Sequence, residues 1–192
     1  VWQDLSGNGF DLTQTDVDRQ PTFLATGLNG MPTVQFADSL LVNESFQLDN
    51  NTEFTVVMVT EGDDNTNSST FFTIVERAAL SYAVIMRFSG NDQDVIFDIN
   101  GSRSAYAPLI TTNPVLYTAT YDPSVMRIYT NGSFIRQNGH SGALVTHDTL
   151  TLGGRPAVSR IPYFGRISEL IYFTRVLNAV QQNAMNTYLM DK

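Results

Sequence analysis

The chain has 192 residues, 42% of them hydrophobic and 16% charged, with a net charge of −8, no cysteine and a single lysine, Lys192. That content is apolar enough to fold as one domain spanning residues 1–192, and it rules out a disulfide framework or a thiolate metal site. The acidity argues against a nucleic-acid partner, because like charge repels a phosphate backbone, and no run approaches the ~18 apolar residues of a membrane-inserted helix. In chain order, the opening segment from Trp2 to Thr13 is rich in turn formers. Its Asp4 and Ser6 side chains can bond backbone amides, and Asn8-Gly9 and Asn29-Gly30 read as reversals. Ten short runs rich in β-branched and aromatic residues follow, at 33–36, 54–60, 71–75, 83–88, 95–99, 116–121, 126–130, 133–136, 149–152 and 167–173. Such spacing predicts an all-β, two-sheet antiparallel sandwich. Asn131-Gly132 predicts a type I′ hairpin between 126–130 and 133–136, with Met126, Ile128 and Phe134 on or near the buried face. One short α-helix is expected at the C-terminus, capped by Asn178 and Gln181 and carrying an apolar stripe of Val180, Ala184, Tyr188 and Leu189.

Two segments carry a family signature. The first is Trp2-Gln3-Asp4-Leu5-Ser6-Gly7-Asn8-Gly9-Phe10-Asp11-Leu12-Thr13. The second runs from Leu150-Thr151-Leu152-Gly153-Gly154-Arg155 to Tyr163-Phe164-Gly165-Arg166-Ile167-Ser168-Glu169-Leu170-Ile171 and on through Arg175-Val176-Leu177. The pattern resembles the laminin G-like branch of the concanavalin A-like lectin and glucanase superfamily, over nearly the whole chain. The resemblance implies a jelly roll in which these motifs are framework, Glu169 included, and recognition is left to the edges.

Catalytic patterns are absent from the sequence. The laminarinase-type members carry paired carboxylates on one strand, and a retaining glycosidase needs its pair about 5 Å apart. The nearest pairs here are Asp92/Asp94 and Asp94/Asp98, the latter sharing a strand face two pleats apart. Only His140 and His147 are available as bases, with no Gly-x-Ser-x-Gly elbow, and both read as surface residues. The expectation is therefore a binding module rather than an enzyme.

Saccharide binding needs aromatic faces and planar polar groups. Tyr82, Arg87, Arg103, Tyr106 and Tyr163 lie in or beside expected loops and strand ends and are the candidate ligand contacts, with the loop 155–163 free to vary between two framework motifs. Calcium is the one cofactor left open. Asp63, Asp64, Asp92 and Asp94 offer carboxylate oxygens on loops, and the resemblance implies a rim calcium in many relatives. The five N-x-S/T sequons, at Asn43, Asn50, Asn67, Asn100 and Asn131, read as incidental, because the Asn-, Thr- and Asp-rich, lysine-poor style looks bacterial. Together these features, with a first residue that is not methionine, predict a glycan- or peptide-binding module excised from a larger bacterial surface protein such as an adhesin, placed outside the cell beside other domains of its parent polypeptide. A structural spacer and a carbohydrate-active enzyme are the alternatives.

Overall fold

The computed structural model describes residues 1–47, 53–62, 69–75, 82–89, 94–100, 103–108, 114–139, 144, 148–155 and 161–192, the main chain only at 69, 75, 82, 83, 89, 103 and 104. The described strands are β1 (Thr22–Leu24), β2 (Thr33–Ala37), β3 (Leu41–Asn43), β4 (Phe54–Gly62), β5 (Ser69–Val75), β6 (Tyr82–Ser89), β7 (Asp94–Ile99), β8 (Arg103–Pro108), β9 (Val115–Asp122), β10 (Val125–Thr130), β11 (Ser133–Gly139), β12 (Thr149–Leu152) and β13 (Phe164–Phe173). The helix α1 is Ala179–Met190. A seven-stranded sheet in the order β1-β2-β13-β4-β9-β10-β11 packs on a six-stranded sheet in the order β3-β12-β5-β6-β7-β8. Every described pairing is antiparallel.

Period-2 alternation builds the core between the layers. Phe54, Val56 and Met58 of β4 and Tyr117, Ala119 and Tyr121 of β9 point inward from one sheet. Val84, Met86 and Phe88 of β6 and Val95, Phe97 and Ile99 of β7 meet them from the other, all essentially without exposure. All ten sequence-predicted strands form. Three more were not predicted. β1 and β3 are three residues each, too short to show a period. β8 reads Arg-Ser-Ala-Tyr-Ala-Pro, and its inward residues are Ala105 and Ala107. Small inward side chains suit an edge where the layers converge, and β8 does lie against β10 and β11.

The Asn131-Gly132 hairpin forms with φ of 48° and 76°, the two positive values a type I′ turn requires. Met126 and Ile128 are buried as expected, but Phe134 is 54% exposed. The register shifts between Ile128 and Tyr129, setting Phe134 opposite Tyr129. Tyr129 lies between inward Ile128 and Thr130, so it and its partner face outward, edge to face at 5.6 Å. A second irregularity, between Ile167 and Glu169, does the same for β13. It moves Glu169 into the outward set with Ile171 and Phe173, where its carboxylate pairs with the Lys192 ammonium at 2.7 Å.

Helix α1 has its capping box complete, with Asn178 Oδ1 accepting from the Gln181 amide at 3.0 Å and Gln181 Oε1 from the Asn178 amide at 3.1 Å. Its docking stripe differs from the predicted one. Met185 and Leu189 pack on Val57, Val59, Leu116, Ile171 and Phe173 across the outer face of the seven-stranded sheet. Val180 and Tyr188 are 78% and 55% exposed. Only Leu189 of the predicted stripe is buried. Residues i and i+4 share a helix face, and the sheet selected the Gln181–Met185–Leu189 line over the Val180–Ala184–Tyr188 line beside it.

Candidate functional site

Two of the five candidate ligand residues are brought together on the outer face of the six-stranded sheet. Thr70, Arg87, Ile96 and Tyr106 form one continuous cross-strand row through β5, β6, β7 and β8. Met86, Phe88, Phe97, Ala105 and Ala107 of the same strands point into the core, so the row faces away from it. Strands lie ~4.8 Å apart, which puts the Arg87 and Tyr106 backbones about 10 Å from one another. Asp94, two residues before Ile96 and paired with Ser89 and Pro108, joins the same face. Arg87, Asp94 and Tyr106 are all half-buried. The middle of this face is closed, since Thr73, Ile85 and Thr151 have no exposure, and the end that Arg87, Asp94 and Tyr106 occupy is partly open. There the Arg136 guanidinium, from the facing sheet's β11, sits over the Tyr106 ring at 5.9 Å, a cation–π contact that orients the ring.

Asp98 shares the outer face, as its pairing with Ile85 and Ser104 shows, and is 5% exposed. Four residue steps along the strand separate it from Asp94, about 13 Å along the backbone, too far for a retaining glycosidase pair. Tyr82 and Arg103 begin β6 and β8 at the opposite end of the sheet from Asp94. Asp63, Asp64 and Asp92 lie outside the described residues, as do His140 and His147. Among the described residues, no group of three or more His, Asp or Glu side chains converges as metal ligands.

Tyr163 requires a correction. It has no exposure at all and offers no face to a ligand. Its ring packs against Phe36, Phe71 and Phe88 at centroid distances of 6.1, 5.8 and 5.8 Å. Its hydroxyl donates to the Glu61 carbonyl at 2.8 Å and also bonds Thr60 Oγ1. Gly165 makes this possible, because a Cβ there would overlap the phenol. Partnered on its hydroxyl and enclosed by rings, Tyr163 anchors the corner where the variable loop rejoins β13.

A second concavity lies at the β1 edge of the seven-stranded sheet. It holds about 560 Å³ and is lined by residues 1–3, 5, 14, 20, 21, 23, 32–34, 41, 167 and 168. One wall is the N-terminal loop. Trp2 and Leu12 exchange both main-chain bonds, at 2.8 and 2.9 Å, and Thr13 pairs with Val42. The Asp4 carboxylate closes the loop by accepting from the Ser6 amide at 2.8 Å and the Phe10 amide at 3.0 Å, while the Asp4 amide donates to Asp11 at 2.7 Å. Hydrogen bonding from Ser6, then from Phe10, holds the Asp4 carboxyl below its ordinary value. Gly7 and Gly9, at φ of 84° and 77°, supply the positive-φ turns.

No family model matches the sequence, and no curated protein matches it. Solved structures do. The receptor-binding domain of botulinum neurotoxin type G superposes with a TM-score of 0.70 at 17% identity, covering 97% of this chain and 48% of that one. The binding domain of Paraclostridial Mosquitocidal Protein 1 gives 0.72 at 13% identity, covering 98% and 49%. A native heptameric SAP-like pentraxin from Limulus polyphemus gives 0.61 at 15% identity, covering 92% and 79%. The chain spans about half the length of the toxin binding domains that it matches. The fold is the concanavalin A-like jelly roll.

Within that jelly roll, the opening motif is framework as expected, since its carboxylate and glycines serve loop closure. The same loop also walls the β1 groove. That second role was not legible in the sequence, because Phe23, 66% exposed, sits on a strand too short to announce itself.

Proposed function

We propose that this chain is a non-catalytic carbohydrate-binding module of the laminin G-like branch of the jelly roll, acting outside the cell as part of a larger bacterial surface protein. Its glycan lies against the outer face of the six-stranded sheet at Arg87, Asp94 and Tyr106. The carrying observation is that three residues from three adjacent strands, of the types that recognise sugars, share a partly open end of a face whose described middle is closed. Arginine contributes a rigid fork of donors, aspartate accepts from hydroxyls, and tyrosine contributes an apolar ring face. The fold neighbours support the reading, since a botulinum neurotoxin serotype D ligand-binding domain that matches at 13% identity was solved with N-acetylneuraminic acid. Calcium, held in part by Asp94, would order this edge.

A glycan array followed by calorimetry tests the proposal. Arg87→Ala and Tyr106→Ala should each weaken the selected glycan about tenfold, a hot-spot loss of ~1.4 kcal/mol. Glycan binding that ignores both substitutions, or an array with no retained glycan, refutes it. For the metal, calcium at ~100 Kd should raise unfolding free energy by about 2.7 kcal/mol, reversed by EDTA.

A further inference from the structure

The groove at the β1 edge has a lining without charged side chains. The chain carries 19 acidic and 11 basic residues, yet none of the residues lining this groove has an ionisable side chain. What they offer is aromatic and apolar surface interleaved with carboxamides. Phe23 and Leu5 are 66% and 94% exposed, and Trp2 is half-buried with its body on the core. Gln3 makes no side-chain hydrogen bond among the described residues. Gln20 uses only its Nε2, donating to the Gln14 carbonyl at 2.9 Å, which holds its Oε1 in place.

We propose that this groove is a binding site for an uncharged oligosaccharide, separate from the Arg87–Tyr106 surface, with Trp2 and Phe23 as ring platforms and Gln3 and Gln20 as the hydroxyl-reading residues. A sugar ring has an apolar C–H face and a rim of hydroxyls that both donate and accept. A carboxamide also does both, whereas a carboxylate only accepts and a guanidinium only donates. A volume of about 560 Å³ falls in the range of small-ligand clefts. Acidic glycans and phosphates are disfavoured, since the lining has no basic side chain to pair with them and the chain's net charge of −8 repels them. An extended peptide added to the sheet edge is disfavoured too, because β1 is only three residues long and affinity in strand addition comes from a run of main-chain bonds. The walls are fixed before any ligand arrives, by the Trp2–Leu12 and Thr13–Val42 bridges and the Asp4-closed loop, so little ordering cost remains on binding.

Trp2 is the only tryptophan in the chain, so its fluorescence reports on this groove and not on the opposite sheet. The intact chain is titrated with neutral oligosaccharides (cello-, malto-, xylo- and galacto-oligomers and lactose) and with 3′-sialyllactose as the acidic counterpart of lactose. At least one neutral oligomer should shift Trp2 emission saturably. Phe23→Ala and Gln3→Ala, both at exposed positions that leave folding intact, should weaken that response by about tenfold or more. Arg87→Ala should leave it unchanged, which separates this site from the one proposed above. No saturable shift with any neutral oligomer overturns the proposal. So does a sialyllactose response equal to that of lactose, an unaltered affinity in Phe23→Ala, or a shift produced by an extended proline-rich peptide in place of the sugars.

Discussion

The two glycine-bearing motifs look alike in sequence and do opposite things in the fold. In the N-terminal loop, a Cβ added at Gly7 or Gly9 would meet nothing within 4 Å. Those glycines are there for their positive φ alone, and the loop they permit is surface. In the C-terminal motif, a Cβ at Gly153 would overlap the Phe36 ring and the Ser39 carbonyl, and one at Gly165 would overlap the Tyr163 phenol and the Glu61 carbonyl. Those glycines admit core side chains against the backbone. A turn signal and a close-approach signal are both written as glycine, and only the neighbours tell them apart.

The sharpest way to break this comparison is to fill both kinds of site. Gly153→Ala should cost about 3 kcal/mol or more, since it combines overpacking with an unfavourable φ of 85°, and Gly165→Ala should cost a similar amount by overlap alone. Urea denaturation measures both, and a loss under 1 kcal/mol at either would show that the Phe36–Tyr163 corner is loosely packed. Leu189→Ala should cost ~2–3 kcal/mol by leaving a cavity under α1, against within ~0.5 kcal/mol for Tyr188→Ala on the exposed line of the same helix. Equal effects would mean that the helix docks in another rotation.

Smaller effects sharpen the contrast. Tyr163→Phe should cost ~1–3 kcal/mol by stranding the buried partners of its hydroxyl while leaving glycan affinity untouched, and an affinity loss without a stability loss would restore Tyr163 to the ligand site. Gly9→Ala should cost ~1 kcal/mol, from backbone conformation only.

The smallest expected effect is one of pH. Asp122, in the β9–β10 turn, is pushed up by partial burial, but bonds from the Ser124 hydroxyl and amide, from Arg127 and from the Val125 amide outweigh that and hold it below its ordinary 3.8. A carboxyl depressed in the native state stabilises the fold fully above its unfolded value, and that contribution disappears as pH falls through the lower native one. Melting temperature should therefore drop below about pH 4, by less in Asp122→Asn than in the parent chain. Identical acid profiles would remove Asp122 from the account.

Much of this fold could be read without coordinates, because alternation, the Asn131-Gly132 turn and the Asn178 cap are local signals that tertiary contacts had only to accept. Phe134 and the helix stripe could not. Each depended on a one-residue register shift or on which of two adjacent helix lines met the sheet, and a period carries no information about its own phase. Site residues followed the same division. Arg87 and Tyr106 were recognisable by type, but only the pairing of β6, β7 and β8 set them in one row. Tyr163 had the right type too, and Gly165 drew it inside.

The chain by itself thus determined a two-layer β sandwich with a capped C-terminal helix, since hydrophobic period and turn chemistry act over a few residues. The packed structure alone decided which surfaces are open. Exposure depends on what the other sheet, the other loop or a glycine two residues away leaves uncovered, and those neighbours are distant in sequence or silent in pattern.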